Sequence, residues 1–341
     1  MCALNVVKGM KLTMKNEKIT ERAVDFGKWY TDVVRRARLA DYSSVKGCIV
    51  FEANGYALWE KMQSVLDKMF KETGHQNVYL PLLIPYGLFQ KEGELVKGFA
   101  PEVVWLTEGG SKKLEEKLCI RPTSETLFSD YYHKIVKSYR DLPLQYNQWC
   151  SVLRWEKETK PFLRSREFLW QEGHTVHETS KEAEEETKMM LDIYAKFFSD
   201  YLAIPVIKGK KTEKEKFAGA EYTLTIEALM QNGITLQSAT SHYFGDKFAR
   251  CYDISFKDRN NKTSYCYQTS WGSSTRMIGA LIMAHSDDTG LVLPPKIAPI
   301  QVALIPIGQE EEIIEKTNSL AQTLKDANIT VMIDDTDKSP G

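Results

Sequence analysis

Residues 154–174 read RWEKETKPFLRSREFLWQEGH, a charged, proline-containing loop between two strand-like segments at 145–156 and 165–176. A strand sends alternate side chains to opposite faces. One face of REFLWQEGH therefore carries Phe168, Trp170, Glu172 and His174, and the other carries Leu169, Gln171 and Gly173. Two aromatics, a carboxylate and an imidazole in a row make a poor dry core, because an unpartnered carboxylate is costly to bury. They make a good pocket floor, with rings to stack on and an anion to hold an ammonium. On the first arm Arg154 and Glu156 share a face, with Trp155 opposite, and Arg164 and Arg166 stand at the junction with the loop. Arginines converging beside a carboxylate suit an anionic ligand with several oxygens, such as the phosphates of ATP. An ion-paired surface hairpin is the bland alternative; the interleaved Phe168 and Trp170 argue against it.

Outward from this hairpin, three further stretches carry reactive side chains. In IRPTSET (120–126), Thr123 and Glu125 follow a strand-ending proline, so they project from a loop or from the first turn of a helix capped within SETLF. TSHYFG (240–245), with Gln237 before it, sets small hydroxyls and His242 at a strand end; alone, such a histidine is more often a structural hydrogen-bonder. In SWGSSTRMIGALIMAH, Gly272 permits close backbone approach, a helix opens after Trp271 and Gly272, and Arg276 lies in its first turn, a combination that favours an anion. Phosphate-binding loops of the GxxxxGK or GxGxxG kind and a metal-binding HExxH are missing from the sequence, so ATP use would need another scaffold.

The remaining pattern is mixed. Helices are expected over 19–39, 56–71 (with Gly74 as its stop) and 180–202, and strands over 78–85, interrupted by Pro81, and over 234–239, 251–256 and 263–268. LVLPPKIAP (291–299) reads as a linker, followed by a strand, a helix over 309–326 and a second strand, the opening of a β-α-β unit with a parallel sheet. The 341 residues carry a formal net charge of -1, so no global basic field announces a nucleic acid, although a local positive groove can sit on a neutral protein. Six scattered cysteines without a CxxC pair suggest neither a zinc cluster nor a disulfide scaffold. With no apolar run of membrane-spanning length and no signal-peptide core at the N-terminus, a cytoplasmic protein is expected.

Together these stretches resemble the class II aminoacyl-tRNA synthetases, specifically prolyl-tRNA synthetases of the eukaryotic and archaeal type, over essentially the whole chain. GYALWE with the following helix and Pro81 is similar to motif 1, RWE through WQEGH to motif 2 and SWGSSTR to motif 3; RPTSET, KTEKEKFAGAEYT (211–223) and TSHYFG resemble the proline-specific elements. The resemblance implies an α+β fold: a class II antiparallel sheet flanked by helices, then an α/β anticodon-binding domain. The corresponding boundaries are a tail over 1–18, a catalytic domain over 19–293 and the start of the anticodon-binding domain over 294–341. It implies Arg154 on the α-phosphate and the substrate carboxylate, Glu156 on the adenine edge, and Phe168 stacked on adenine. Arg164 and Arg276 would hold the polyphosphate, with Gln237 and Thr240 also on the nucleotide. Thr123, Glu125, Trp170, Glu172 and His242 would line a proline pocket with His174 beside it. It further implies ATP with Mg2+, L-proline and tRNA(Pro) as partners, no protein-bound metal cluster, and a homodimer through motif 1.

Two features qualify the resemblance. About 90 residues separate motif 2 from motif 3, too few for the large editing insertion of bacterial-type prolyl enzymes, so hydrolysis of mischarged alanyl-tRNA is not expected. The sequence stops at SPG inside the second domain, so that domain is expected to be incomplete and tRNA charging weak. Rivals fare worse. A threonyl-type site needs a Cys/His zinc set, and seryl or glycyl pockets do not need the RPTSET and KEKFAGAEYT pair. A non-catalytic paralogue would lose Arg154 and Arg276, and a pure nucleic-acid binder would lack a nucleotide grip. KGKKTEKEK (208–216) is basic enough to touch tRNA but reads first as a solvated loop.

Overall fold

The computed structural model describes residues 18–91, 102–308 and 310–336. Its frame is a seven-stranded sheet built from β1 (Gln76–Asn77), β2 (Leu144–Leu153), β3 (Glu167–His177), β4 (Val206–Lys210), β5 (Tyr222–Leu229), β6 (Thr235–Gly245) and β7 (Tyr267–Ser274), in the order β1-β2-β3-β7-β6-β5-β4. Every neighbouring pair is antiparallel except the short parallel contact of β1 with β2. The expected pairing of the two motif arms is thus the β2–β3 hairpin at the heart of the sheet.

One face of the sheet is covered by helices. These are α1 (Phe26–Arg36), α2 (Ala53–Glu72), α4 (Ser180–Asp200) and α5 (Arg276–His285), whose apolar stripes form one large core; α3 (Glu125–Ile135) belongs to a second. The α4 helix starts where the sequence lets it: Thr179 accepts from the Glu182 backbone while the Glu182 side chain reaches back to Thr179, a capping box. In α2 the buried side chains Leu58, Trp59, Met62, Leu66 and Phe70 fall on one helical face. That helix stops before Gly74, whose φ of +89° suits glycine beyond a helix end.

Several expectations are corrected. The first helix begins at Phe26 rather than near residue 19, because the Asp25 side chain caps the Lys28 N–H and sets the start there. The run at 78–85 is not one strand: β1 ends before it at Asn77, and only Leu83–Pro85 forms a strand, in a separate three-stranded sheet with Val104–Gly109 and Lys112–Ile120. Residues 251–256 do not form one strand either; a short helix spans Lys247–Tyr252, Asp253 takes a φ of 54°, and extended structure starts at Ser255. Nor does a helix follow directly on Gly272, because β7 runs on to Ser274 and α5 opens at Arg276. The stretch 291–299 is no loose linker, since Ile297 and Ala298 are buried against the domain. Beyond it, Val302–Leu304 and Val331–Ile333 pair in parallel around α6 (Glu311–Asp326), as the β-α-β pattern predicts.

Candidate active site

Register places the floor of the site on the face of the sheet opposite α4. In one row across four strands stand Gln148, Glu172, Gly272 and Thr240; in the next stand Tyr146, His174, Ser270 and His242. Residues in such a row share a face, so strand parity along β3 is carried sideways by the neighbours. Gly272 lacks a side chain in the middle of the first row, which leaves the floor open between Glu172 and Thr240. The opposite face of β3 is packed tight. A Cβ on Gly173 would come within 2.1 Å of the Trp271 ring, and the Gln171 side chain accepts from the Tyr194 hydroxyl at 2.5 Å.

These rows line one cavity of about 240 Å³. It brings together every residue to which the resemblance gives a ligand role: Thr123, Glu125, Arg154, Glu156, Arg164, Phe168, Trp170, Glu172, His174, Gln237, Thr240, His242 and Arg276. Arg166 is the exception among the motif arginines. Its guanidinium stacks on Trp155 at 3.8 Å and its Nε donates to the Glu156 carbonyl, outside the cavity lining. Arg154 and Glu156 also lie beyond the end of β2, so parity does not place them. Arg154 is set by backbone pairing with Arg166 and by its Nε, which donates to the Pro122 carbonyl at 3.0 Å.

The cavity has two chemically distinct ends. At one, Arg154, Arg164 and Arg276 face each other. Burial, then repulsion from Arg164 and Arg154, holds the Arg276 guanidinium below its usual pKa, with Glu156 opposing. The Arg276 guanidinium donates to the Leu163 carbonyl at 3.2 Å and to the Gln237 carbonyl at 3.5 Å, and Arg164 lies 3.7 Å from Glu156. Clustered guanidinium charge of this kind is relieved by a polyanion. The Arg154 guanidinium lies 5.4 Å from the centres of both Phe168 and Trp170, which meet edge to face. It therefore stands between the arginine end and the other, acidic end.

At the acidic end sit two buried carboxyls. Burial pushes Glu125 above the usual carboxylate range, and the Glu172 charge adds to this against the pull of His174 and Thr123. Burial acts on Glu172 in the same direction, but donors from His174, Ser124 and Gln148 outweigh it and leave Glu172 below that range. One Glu172 oxygen accepts from the Ser124 hydroxyl, from Gln148 at 2.7 Å and from Cys150 at 3.5 Å; the other meets the Ser124 N–H at 3.2 Å and His174 at 2.9 Å. Glu172 is saturated by the protein. Glu125 accepts side-chain bonds from Thr123 at 2.5 Å on one oxygen and from Ser270 at 3.2 Å on the other, fewer donors than surround Glu172, which leaves it lone pairs for a ligand. Its helix start agrees with the expected cap in position but not in bonding, since the Ser124 side chain turns to Glu172 instead of capping α3. His242 bonds Thr223 at 2.8 Å, and burial, with the charges of His174 and Lys211, lowers its pKa to about 3.

Sequence reasoning missed Ser270 in the lining and Ser124 and Gln148 behind it, and flagged 211–223 as a stretch without singling out Lys211, Phe217 and Thr223, which also line the cavity. Ser270 was within reach, because parity through SWGSS puts Ser270, Gly272 and Ser274 on one face. The others depend on cross-strand register or loop closure. Among the described residues no group of three or more His, Cys, Asp or Glu could hold a metal, and no helix is long and apolar enough to cross a membrane.

Known families match this architecture. Residues 105–285 match the class II tRNA synthetase core domain (G, H, P, S and T), and residues 301–341 match an anticodon binding domain. A proline–tRNA ligase of Ruminiclostridium cellulolyticum is 60% identical over 326 residues, covering 95% of this chain and 68% of the relative. One from Agathobacter rectalis is 61% identical over the same length, 326 residues. A solved prolyl-tRNA synthetase of Cryptosporidium parvum, complexed with halofuginone and AMPPNP, superposes with a TM-score of 0.90 at 43% identity, over 95% of this chain and 68% of that one. Its core, its second domain and its relatives agree: this chain belongs to the class II aminoacyl-tRNA synthetases, in the prolyl-tRNA synthetase family.

Proposed function

We infer that this chain activates L-proline with ATP and passes it to the 3′ end of tRNA(Pro). The observation that carries the reading is a single cavity with a guanidinium cluster at one end and a buried carboxyl pair at the other, bridged by Arg154. The triphosphate lies along Arg164 and Arg276, and adenine stacks on Phe168, with Glu156, Gln237 and Thr240 around the nucleotide. Proline enters as a secondary ammonium that needs a desolvated anion. Glu125 supplies it directly, Glu172 supplies field, and Thr123, Trp170, His174 and His242 shape the seat of the ring.

A proline carboxylate oxygen attacks the α-phosphorus, the bond to the departing pyrophosphate breaks, and prolyl-adenylate forms. A tRNA terminal hydroxyl then attacks the prolyl carbonyl carbon and AMP leaves. The first step is phosphoryl-transfer chemistry, governed by positioning and positive charge rather than by a protein nucleophile. Arg154 orients both the carboxylate and the α-phosphate. Neutral His242 donates or accepts a hydrogen bond without adding charge beside the ammonium. Magnesium arriving with ATP fits a site whose protein contribution is small: Glu156 is the carboxylate of the arginine end, and phosphates and water would fill the other positions. The metal would neutralise developing phosphate charge.

A homodimer through the segment around Pro81 is supported by Tyr79, Leu82 and Leu83, which are 68%, 39% and 37% exposed beside it. The catalytic domain is taken as 19–293 and the anticodon-binding region as 294–341, in a cytoplasmic enzyme of the eukaryotic and archaeal sequence type. The test is a split of kinetic effects: Arg276→Ala raises the ATP KM or lowers kcat, and Thr123→Val raises the proline KM. Both variants affecting only one substrate would overturn the two-ended assignment.

A further inference from the structure

We propose that Gln148 is a positioning residue for proline selection: it holds Glu172 ionised and fixed in rotamer behind the ligand. This rests on the acidic end being the seat of proline. Gln148 is fully buried, and its register partner on β3 is Glu172 itself. The orientation of its amide is dictated. Its carbonyl oxygen accepts from the Leu80 N–H at 3.0 Å, and a backbone N–H can only donate. The NH2 group must then point the other way, where it donates to the Ser124 hydroxyl at 2.8 Å and to Glu172 at 2.7 Å. Ser124, having accepted from Gln148, turns its own proton to the same Glu172 oxygen. The acceptor side is anchored in turn, because buried Arg121 holds the Leu80 carbonyl at 2.7 Å and the Ser151 carbonyl at 3.0 Å. The chain of bonds has one direction, and its last two donors, the Gln148 amide and the Ser124 hydroxyl, both end on Glu172.

The consequence is chemical. The titratable or charged groups facing Glu172 are Glu125 from the start of α3, His174 on its own strand, Arg154 beyond the end of β2 and Cys150 on β2. Glu125 and Glu172 compete for a proton, as adjacent buried carboxyls do. The donors directed by Gln148 keep Glu172 the ionised member and fill its oxygens, so Glu125, which gives up the proton as the ammonium arrives, is the member that meets the ligand. Gln148 itself is outside the cavity lining and acts only through Glu172 and Ser124.

The experiment is proline-dependent ATP–pyrophosphate exchange with Gln148→Met, which keeps the volume and removes both donors and the acceptor. The proline KM should rise about tenfold, or about 1.4 kcal/mol, with the ATP KM within about twofold. Glu172 binds its proton more readily without those donors, so the acid limb of the kcat/KM profile for proline should move to higher pH. Gln148→Glu keeps an acceptor for Leu80, and Ser124→Ala removes only the relayed donor; both should shift the profile the same way. A proline KM within twofold of the parent would overturn the proposal, as would equal rises in both KM values with an unmoved profile. Glu125→Gln serves as the control. If it too leaves the proline KM unchanged, the seat of proline is misassigned; if it alone raises that KM, only the role of Gln148 fails.

Discussion

Replacing Arg154 by alanine is the sharpest test of the catalytic arrangement. The guanidinium is fixed by its Nε bond to the Pro122 carbonyl at 3.0 Å and by two aromatic faces, each 5.4 Å away. Burial depresses its pKa, with Glu102, Glu125, Glu172 and Glu156 opposing, so the protein bears a desolvation cost to keep this charge here. A preorganised charge aimed at developing phosphate charge contributes on the order of 10²- to 10³-fold to rate, or about 3–4 kcal/mol. Arg154→Ala should therefore cut proline-dependent pyrophosphate exchange at least about 10²-fold, with kcat falling and the thermal midpoint nearly unchanged. Arg154→Lys keeps the charge but loses the planar fork and the Nε anchor, so an intermediate loss is expected. Exchange within threefold of the parent for Arg154→Ala would refute the reasoning, and a collapse of the thermal midpoint would assign Arg154 to folding instead.

Other perturbations follow from the same geometry. Gly173→Ala would drive a Cβ to within 2.1 Å of Trp271, an overpacking that costs about 1–3 kcal/mol; a lower thermal midpoint with impaired exchange is expected, and an unchanged one contradicts the packing. Glu125→Gln should raise the proline KM yet stabilise the fold at neutral pH. Burial raises the folded pKa of Glu125, so the unfolded chain ionises first as pH climbs past its ordinary 4.5, and stability is lost above that pH in the parent but not in the variant. Thermal melts at pH 4 and 7 check this; a gain equal at both pH values would refute it. His242 has the opposite sign: its folded pKa of about 3 lies below the ordinary 6.5, so its contribution is present above pH 6.5 and is lost as pH falls toward 3. This amounts to roughly 2 kcal/mol by pH 5, and His242→Gln should flatten that part of the stability profile measured by denaturant titration.

How far the site could be read from the sequence depended on which contacts are local. Parity along β3 sufficed for Phe168, Trp170, Glu172 and His174, because period-two alternation is intrinsic to a strand. Arg154 and Arg164 were legible as types but not as geometry, since both stand outside regular structure and are set by backbone bonds to Arg166 and Lys160. Arg166 was misjudged for the same reason: Trp155 next to the loop offered it a ring to stack on. Gln148 was invisible because only the register of β2 against β3 puts it beside Glu172, and Ser124 because only the packing of the α3 start against the sheet does. Helix bounds moved where capping residues intervened, as at Asp25, and the β-like composition of residues 251–256 was overridden by the packing of Phe248 and Tyr252 into the second core. Glu172, expected to touch proline, is surrounded by protein donors, a property of three-dimensional arrangement alone.

Pyrophosphate exchange with each of the twenty amino acids in turn bears most directly on the central claim. With ATP and magnesium present, proline should support exchange far above every other amino acid, and the signal should vanish in Arg154→Ala. No exchange with any amino acid would reduce the chain to a synthetase-like binding protein, and stronger exchange with an amino acid other than proline would contradict the assignment of the acidic end.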